Sequence, residues 1–296
     1  MPRICFLALL ACAGLPSPRA QRAAPPPPQF DAVSVRELSP AAVSNTTISP
    51  VMVGLLDPSE WQAHYQPLLY TVMAAYDIGP EGQFRVVGLP KWAHRVLFDI
   101  KARVPPHAHA AQIPAMLRAM LADKFALKAH WETRLMPAVV MSVAPGGPKL
   151  HRDPACESPD RPLAYAYPFT RRATGAPLES SPGCGTWQRS VAKNGDFVSI
   201  FHGVTMQQFA RLSTRRNLPV LDQTHLPGAY DFTITVLPAN LRGLTPEQER
   251  ERREEMNRES ERTLIKQLGL DVDYSQPRKL PVPVLVVDHI TRPASH

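Results

Sequence analysis

The sequence predicts an α+β fold in which a helix–strand–strand unit occurs twice, with mostly antiparallel sheets and helices packed on one face. Three observations predict this class. Residues 203–236 have the pattern of a capped amphipathic helix, a short strand, a tight turn and a second strand. A weaker copy of this pattern lies roughly 130 to 145 residues upstream. An apolar content of 44% is enough for a buried core.

The stretch from residue 203 to 236 gives the clearest local signals. Thr205 and Gln208 have the spacing of a capping box, so we expect a helix to begin between them. Pro227-Gly228 predicts the turn before the strand Tyr230–Val236. The predicted buried side of the helix consists of Met206, Phe209, Ala210 and Leu212.

The two copies correspond at two further places. Phe98–Ile100 corresponds to Tyr230–Ile234, in each case after a helix and a turn. Met136–Val140 corresponds to Leu280–Val284, in each case after a second helix. The match is one of pattern, with few identical residues.

The elements of the first copy follow from periodicity and from proline. Pro67–Ile78 is predicted as a helix because proline occupies its start and apolar residues recur on one face. Ile113–Phe125 is predicted as a second helix, with Pro114 in its first turn, where a missing N–H costs nothing. The predicted strands of this copy are Phe30–Leu38, Phe84–Leu89, Val96–Val104, Phe125–Glu132 and Ala138–Val143, and Ser39–Pro58 is predicted as a loop.

The second copy contains one unusual helix. Residues 245–262 are highly charged and are predicted to form a solvated helical insertion, continued by apolar residues up to Leu268 and ended by Gly269. The predicted strands of this copy are Phe197–Phe201, Tyr230–Val236, Leu270–Tyr274 and Val284–Ile290. The predicted layout is therefore a first half at 30–150, an irregular segment at 151–195 that carries two cysteines, and a second half at 196–296.

The N-terminus is typical of an exported protein. Arg3 precedes the apolar run Ile4–Leu15, and Pro16–Ala20 follows it, so residues 1–20 are predicted to be a signal peptide. The alternative is a lipid anchor at Cys12, because Leu9–Cys12 resembles a lipoprotein box. Residues 21–29 are proline-rich and are predicted to form an extended tether. We find no later apolar stretch long enough to cross a bilayer, and we expect a periplasmic or secreted protein.

The charge of the chain gives little support for a polyanionic partner. The formal charge of +7 falls to +5 without residues 1–20, because Arg3 and Arg19 leave with them. The basic residues are spread along the chain, and residues 245–262 mix both signs. We therefore expect no nucleic-acid partner.

Two cysteines remain after signal cleavage, Cys156 and Cys184. In an oxidising compartment they are predicted to form a disulfide with each other. The alternatives are two buried free thiols, or a metal-binding pair, for which no further CxxC or suitably spaced histidine is found.

Motifs for catalysis and cofactors are mostly absent. The sequence lacks a phosphate loop, a GxSxG elbow, an HExxH pair and a GxGxxG fingerprint. Ser190–Lys193 matches SxxK without its partner motifs, and His107 with His109 would supply only two metal ligands. We therefore predict no catalytic, cofactor-binding or metal-binding residue and no cofactor. Several other histidines and aspartates are scattered without a pairing that the sequence reveals: His94, His130, His202, His225, His289, Asp99, Asp231 and Asp288.

Tryptophans are the remaining candidates for a ligand surface. Trp61, Trp92 and Trp131 could line a groove, although packing into the core is the more common role of such residues.

Several segments in this order resemble a family of secreted proteins of soil bacteria that is known as a domain of unknown function. The resemblance covers about Phe30 to Pro293 and implies a cell-envelope location without an activity. Some members of that family are joined to membrane metallopeptidase sensors of the beta-lactam-receptor type. Residues 204–235 are also similar to the short N-terminal domain of secretins and TonB-dependent transporters. The segments are FDAVSVRE, Leu68–Ile78, residues 116–150, GVTMQQFARL, VLDQTHLPGAYDFTITV and VPVLVVDHITRP.

These observations favour an extracytoplasmic, non-enzymatic module that binds a protein or a small ligand in the cell envelope. The alternatives are a sensory accessory domain that acts beside a membrane partner, and an envelope hydrolase with an unrecognised site. A hydrolase would need polar side chains that converge in one pocket.

Overall fold

A computed structural model describes residues 28–38, 52–57, 59–108, 112–157, 184–191, 197–214, 217–236 and 244–293. The predicted signal peptide, with Cys12, lies outside these ranges, as does the predicted tether up to residue 27.

The first copy alternates strands with helices in the order that its periodicity predicts. A 3₁₀ helix, Pro80–Arg85, precedes its fourth strand. In chain order its elements are β1 (Ala32–Glu37), β2 (Met52–Asp57), β3 (Glu60–Pro67), α1 (Leu68–Ala75), β4 (Val86–Val87), α2 (Lys91–Arg95), β5 (Leu97–Arg103), α3 (Ile113–Phe125) and β6 (Lys128–Val143).

The second copy follows a similar order, without a helix between β10 and β11 and with two strands after its last helix. A 3₁₀ helix, Pro154–Glu157, follows its first short strand. Its elements are β7 (His151–Arg152), β8 (Thr186–Val191), β9 (Phe197–Val204), α4 (Met206–Leu212), β10 (Val220–Asp222), β11 (Tyr230–Val236), α5 (Pro246–Leu268), β12 (Leu270–Val272) and β13 (Arg278–His289).

The strands form three sheets, and most of the pairs are antiparallel. The first sheet has the order β1-β5-β3-β2, and the second has the order β7-β11-β9-β8. The central sheet has the order β10-β6-β13-β4, with β12 also paired to β6. Helices pack beside these sheets, so the predicted α+β class is confirmed.

The predicted duplication is also confirmed, and it extends to the register of the strands. In the first sheet the β3–β5 ladder shifts by one residue between Ala63 and Gln66. The β9–β11 ladder of the second sheet shifts at the corresponding place, between the pairs Phe201–Phe232 and Val204–Tyr230. The bulge contains a residue with positive φ in both copies, Tyr65 at 52° and Gly203 at 57°.

The two copies are interleaved in the central sheet. Strand β6 of the first copy pairs along most of its length with β13 of the second copy. The short strand β4 of the first copy adds to β13 in parallel, and β10 of the second copy adds to β6 in parallel. An ion pair between Arg211 and Asp77 joins α4 to the turn after α1. Both copies therefore contribute strands to the central sheet.

The interleaving also joins the two hydrophobic cores. The first core surrounds α1 and α3 and includes Leu285 and Val287 from β13 of the second copy. The second core surrounds α4 and the end of α5, and it includes Val139 and Met141 from β6 of the first copy. Burial of apolar surface is the main stabilising term in folding, so each copy depends on the other for its stability.

The prediction of two strands at Phe125–Glu132 and Ala138–Val143 is wrong, because β6 is continuous. Strand β13 likewise begins at Arg278 rather than at Val284. Prolines are tolerated here because their nitrogens point away from the β6–β13 ladder. The carbonyl of Pro283 faces outward and accepts a hydrogen bond from Arg85 Nε at 2.9 Å. A proline that faces outward removes no ladder hydrogen bond.

Three other expectations differ from the structure. The predicted loop Ser39–Pro58 contains β2, and the predicted strand Phe84–Leu89 is reduced to the two residues of β4. The segment 151–195, predicted to be irregular, contains β7 and β8, which are the two edges of the second sheet. The charged segment 245–262 and the apolar residues after it form one helix, α5, which ends at Leu268 as predicted. Short edge strands and 3₁₀ turns have few periodic apolar residues, so the pattern missed them.

In the part of the chain that the structure describes, no helix has both the length and the apolar character needed to cross a membrane.

Candidate functional site

The most exposed apolar side chains lie on the two strands that join the copies. Trp131 and Leu135 of β6 are 46% and 73% exposed, although both belong to residue types that are usually buried. Pro281 and Pro283 of β13 are paired with Leu135 and Thr133, and they are exposed as well. Directly paired residues of antiparallel strands share a face of the sheet. We call Trp131, Leu135, Pro281 and Pro283 the apolar strip.

Contacts from the first copy hold the indole ring of Trp131 in place. The ring of Tyr76 meets it edge-on, with 6.2 Å between the ring centroids. The guanidinium of Arg85 lies 5.9 Å from the centroid of the same indole, within cation–π range. Arg85 is itself fixed by its hydrogen bond to the carbonyl of Pro283. The exposed indole is therefore held in one orientation before any ligand arrives.

On the opposite face, β6 carries charged side chains, whereas their directly paired β13 residues Val282 and Val284 are buried. His130 Nδ1 lies 2.8 Å from Asp288 Oδ2, and His130 Nε2 lies 3.3 Å from Glu132 Oε1. Arg134 donates two hydrogen bonds to Glu132. The hydrogen bond to Asp288, then the one to Glu132, raises the pKa of His130 above its usual value. The charged side chains of β6 and Asp288 therefore lie on the face of the sheet opposite to the apolar strip.

A histidine–aspartate pair lies at the bulge of the first sheet. Asp99 of β5 is buried, and its carboxylate contacts His64 Nδ1 at 2.6 Å and Arg36 Nη2 at 3.0 Å. Burial by itself would raise the pKa of Asp99, but the hydrogen bonds from His64 and Arg36 outweigh burial and lower it. This ion triad ties β1, β3 and β5 together.

Replacing Asp99 with asparagine should therefore weaken the fold in a manner that depends on pH. Near pH 7 we expect Asp99→Asn to lower the free energy of unfolding by about 1.5 to 3 kcal/mol, the usual contribution of charged hydrogen bonds. Because the folded pKa lies below the unfolded value of about 3.9, the carboxylate's contribution is complete above that pH. It disappears as the pH falls through the folded pKa.

Urea denaturation from pH 7 to pH 2 checks this prediction. The difference between the two proteins should shrink below about pH 4. A difference that stays constant to pH 2 would show that the charge of Asp99 is irrelevant. The matched control is Asp123→Asn, since Asp123 is exposed and lies in α3 rather than at the bulge.

A second histidine–aspartate pair lies at the same place in the second sheet. His202 Nδ1 lies 2.9 Å from Asp231 Oδ1, which also accepts the backbone N–H of Gly203 at 2.7 Å. Asp153 Oδ2 lies 3.9 Å from His202 Nε2. His151 is paired with Asp231 in the β7–β11 ladder, where Arg36 faces Asp99 in the first sheet. The sequence analysis left these aspartates and His202 unpaired.

The predicted disulfide between Cys156 and Cys184 is present. It passes over the bulge of β9, where a Cβ on Gly203 would lie 2.3 Å from Cys156 Sγ. Gly203 therefore has no side chain for a steric reason, in addition to its positive φ. In the first copy this bulge position is Tyr65, whose ring packs edge-on against His64 with 4.0 Å between centroids.

The other candidate site residues from the sequence lie in different environments. Trp61 is buried in the first core and Trp92 packs against that core, so only Trp131 of the three is exposed. His109 of the histidine pair and Lys193 of the SxxK motif lie outside the described residues. Within the described ranges, His94, His225 and His289 form no ion pair.

Sequence reasoning missed His64, Arg36, Tyr76 and Arg85. One signal was present, because His64 and His202 occupy the same place in the two copies and so do Asp99 and Asp231. Surface depressions lie along α5, lined by residues such as Gln248, Arg258 and Lys266, and they do not include either histidine–aspartate pair. The two pairs contact the bulged strands, and we describe them as supports of the bulges.

Comparison with known proteins finds a family model that matches most of the chain. A family model described as a protein of unknown function, DUF3738, matches residues 70–290, about three quarters of the chain. This span includes the apolar strip, the bulge of the second sheet and the disulfide, whereas His64 and Tyr65 of the first bulge lie before it. No curated protein matches the chain, and no solved structure matches it.

Proposed function

This chain belongs to the DUF3738 family of proteins of unknown function, and we propose that it is an extracytoplasmic, non-enzymatic module that binds a protein partner through the apolar strip. The observation that carries the proposal is the exposure of Trp131 and Leu135 on one face of the joining strands. Exposed tryptophan held beside arginine is the composition of energetic centres in protein interfaces.

The shape of the strip favours a protein partner over a small ligand. Trp131 and Leu135 are separated by four residues of extended strand, about 13 Å. Small-molecule sites are concave and enclose most of their ligand. The strip is open, so a ligand would be covered on one side only. A polypeptide surface that offers apolar side chains is therefore the partner we propose.

Several features of the chain support an extracytoplasmic location for the module. We propose that residues 1–20 are a signal peptide, that residues 21–29 are a tether, and that the halves at 30–150 and 196–296 lie in the periplasm or outside the cell. The disulfide supports this location, because disulfides persist in oxidising compartments. The resemblance to secreted proteins of soil bacteria supports export, and the similarity of residues 204–235 to secretin and TonB-associated domains supports an interaction role.

Site-directed photocrosslinking tests the strip. A photoreactive phenylalanine analogue placed at Leu135 should give a specific adduct with one envelope protein when whole cells are illuminated. The matched control is the same analogue at Ile200, which is also an exposed apolar residue of a strand, 40% exposed, but lies outside the strip. We expect no such adduct from position 200.

The affinity for the captured protein, measured with purified components, decides the outcome. Trp131→Ala should weaken binding by at least about thirtyfold, the effect of removing an interface residue worth about 2 kcal/mol. Ile200→Ala should leave the affinity unchanged. Equal affinities of the parent, the Trp131→Ala variant and the Ile200→Ala variant would contradict the proposal. Equal adducts from positions 135 and 200 would contradict it as well.

A further inference from the structure

Three potential metal ligands converge beside the bulge of β9, and a fourth, Asp153, lies beside one of them, His202. The two sulfurs of the disulfide and a ring nitrogen of His202 all lie within 4.8 Å of one another. Asp153 Oδ2 lies 3.9 Å from His202 Nε2. The sequence analysis found no histidine at a suitable spacing for Cys156 and Cys184. His202 lies next to them in space because β9 carries it past the disulfide.

In the second copy, a hydrogen bond to a carboxylate orients His202 in the way that metal-ligating histidines are usually oriented. Asp231 Oδ1 accepts from His202 Nδ1 at 2.9 Å, and it is held in place by the N–H of Gly203 at 2.7 Å. A proton on Nδ1, as this hydrogen bond assigns it, leaves the lone pair of Nε2 directed at Asp153. A ligating histidine in proteins is usually held by a carboxylate in this manner.

The first copy provides an internal comparison. It has the same bulge and the same histidine–aspartate pair, His64 and Asp99. In place of Gly203 and the disulfide it has the side chain of Tyr65, and Arg36 holds its aspartate. The histidine–aspartate pair is common to both copies and therefore supports the bulge. Among the described residues, the additional potential ligands Cys156, Cys184 and Asp153 are found only at the second bulge.

We propose that reduction of the disulfide converts this cluster into a tetrahedral zinc site formed by Cys156, Cys184, His202 and Asp153. A dithiol reductant supplies two electrons and two protons, becomes a disulfide itself and leaves two thiols on the chain. Zn²⁺ then binds both sulfurs as thiolates and releases the two protons to solvent. The inference does not depend on the apolar strip.

The donor set suits zinc. Two thiolates, one imidazole and one carboxylate are ligands that Zn²⁺ accepts in a four-coordinate site, with bonds of about 2.0 to 2.3 Å. The metal and the disulfide exclude each other because both use the same sulfurs. The disulfide links Cys156, in the turn after β7, to Cys184 just before β8, and the zinc site would link the same two residues. The second sheet therefore keeps a cross-link in both redox states.

Cobalt titration tests the proposal directly. The full chain with Cys5→Ser and Cys12→Ser, which leaves only the two cysteines of the cluster, is reduced with a phosphine, freed of reductant without air, and titrated with Co²⁺ and then Zn²⁺. We expect one equivalent of Co²⁺ to give a thiolate-to-cobalt charge-transfer band and tetrahedral visible bands. Zn²⁺ should displace it with release of two protons per metal, and the oxidised protein should show none of these signals.

Variants separate this site from adventitious thiol binding. Asp153→Asn should weaken zinc binding by at least about tenfold, and His202→Gln should weaken it further, since each removes one ligand. The matched control is His64→Gln, the equivalent residue of the first copy, which should leave the affinity unchanged. Circular dichroism checks that each reduced protein is folded. Absence of the charge-transfer band, loss of the fold on reduction, or equal affinity in all of the variants would overturn the proposal.

Discussion

Replacing both Cys156 and Cys184 with serine is expected to lower the free energy of unfolding by about 3 to 4 kcal/mol. The disulfide joins residues 28 positions apart, and a closed loop of that size restricts the unfolded chain by about this amount. The bond also ties the two edges of the second sheet across the bulge at Gly203. The loss should therefore appear first in β7, β8 and β9.

Urea denaturation of the serine variant and of the oxidised parent measures this loss. The parent, reduced in the presence of a chelator, is the control, and it should be as unstable as the serine variant. Addition of Zn²⁺ should restore stability to the reduced parent and not to the serine variant. Equal stability of the oxidised parent and the serine variant would contradict a structural role for the disulfide.

The second large effect is expected from Phe232→Ala. The ring of Phe232 stacks on Phe201 with 4.6 Å between centroids and meets Phe209 edge-on at 5.0 Å. The side chain is buried in the second core, so its removal leaves a cavity between β9, β11 and α4. Truncation of a buried phenylalanine to alanine usually costs about 3 to 5 kcal/mol.

Thr233→Ala is the matched control, because Thr233 is the next residue of β11 and is exposed on the other face. Its free energy of unfolding should stay within about 0.5 kcal/mol of the parent. Thermal and urea unfolding of both variants provide the comparison. A loss below about 1 kcal/mol for Phe232→Ala would mean that the second core does not hold this sheet.

Local signals in the sequence were sufficient for α1, α3, α4 and α5, whereas the five-residue helix α2 was not predicted. Helix α3 has its predicted bounds because apolar periodicity, an early proline and a following left-handed residue, Ala126, agree. The capping box of Thr205 and Gln208 is present with both of its hydrogen bonds. The duplication was found from short patterns because the two copies keep the same order of elements.

The sheets could not be predicted to the same extent, since strand pairing is a contact between distant residues. Pro137 and Pro281 indicated a break in β6 and β13, whereas each nitrogen faces away from the partner strand. The exposure of Trp131 depends on which strand lies opposite it. The sequence alone could not show that His202 lies next to Cys156. Cys156 follows β7, and β7 belongs to the same sheet as β9 only because β11 pairs with both strands.

The central claim is that the two copies form one cooperative unit, whose joining strands β6 and β13 also present the apolar strip. Native-state hydrogen exchange at increasing urea concentration tests it most directly, because it reports an opening free energy for each amide. We expect the protected amides of β5 in the first copy, β11 in the second, and β6 and β13 between them to converge on one global free energy. Exchange of β11 through an opening that leaves β5 and β6 protected would show two independent domains and would contradict the claim.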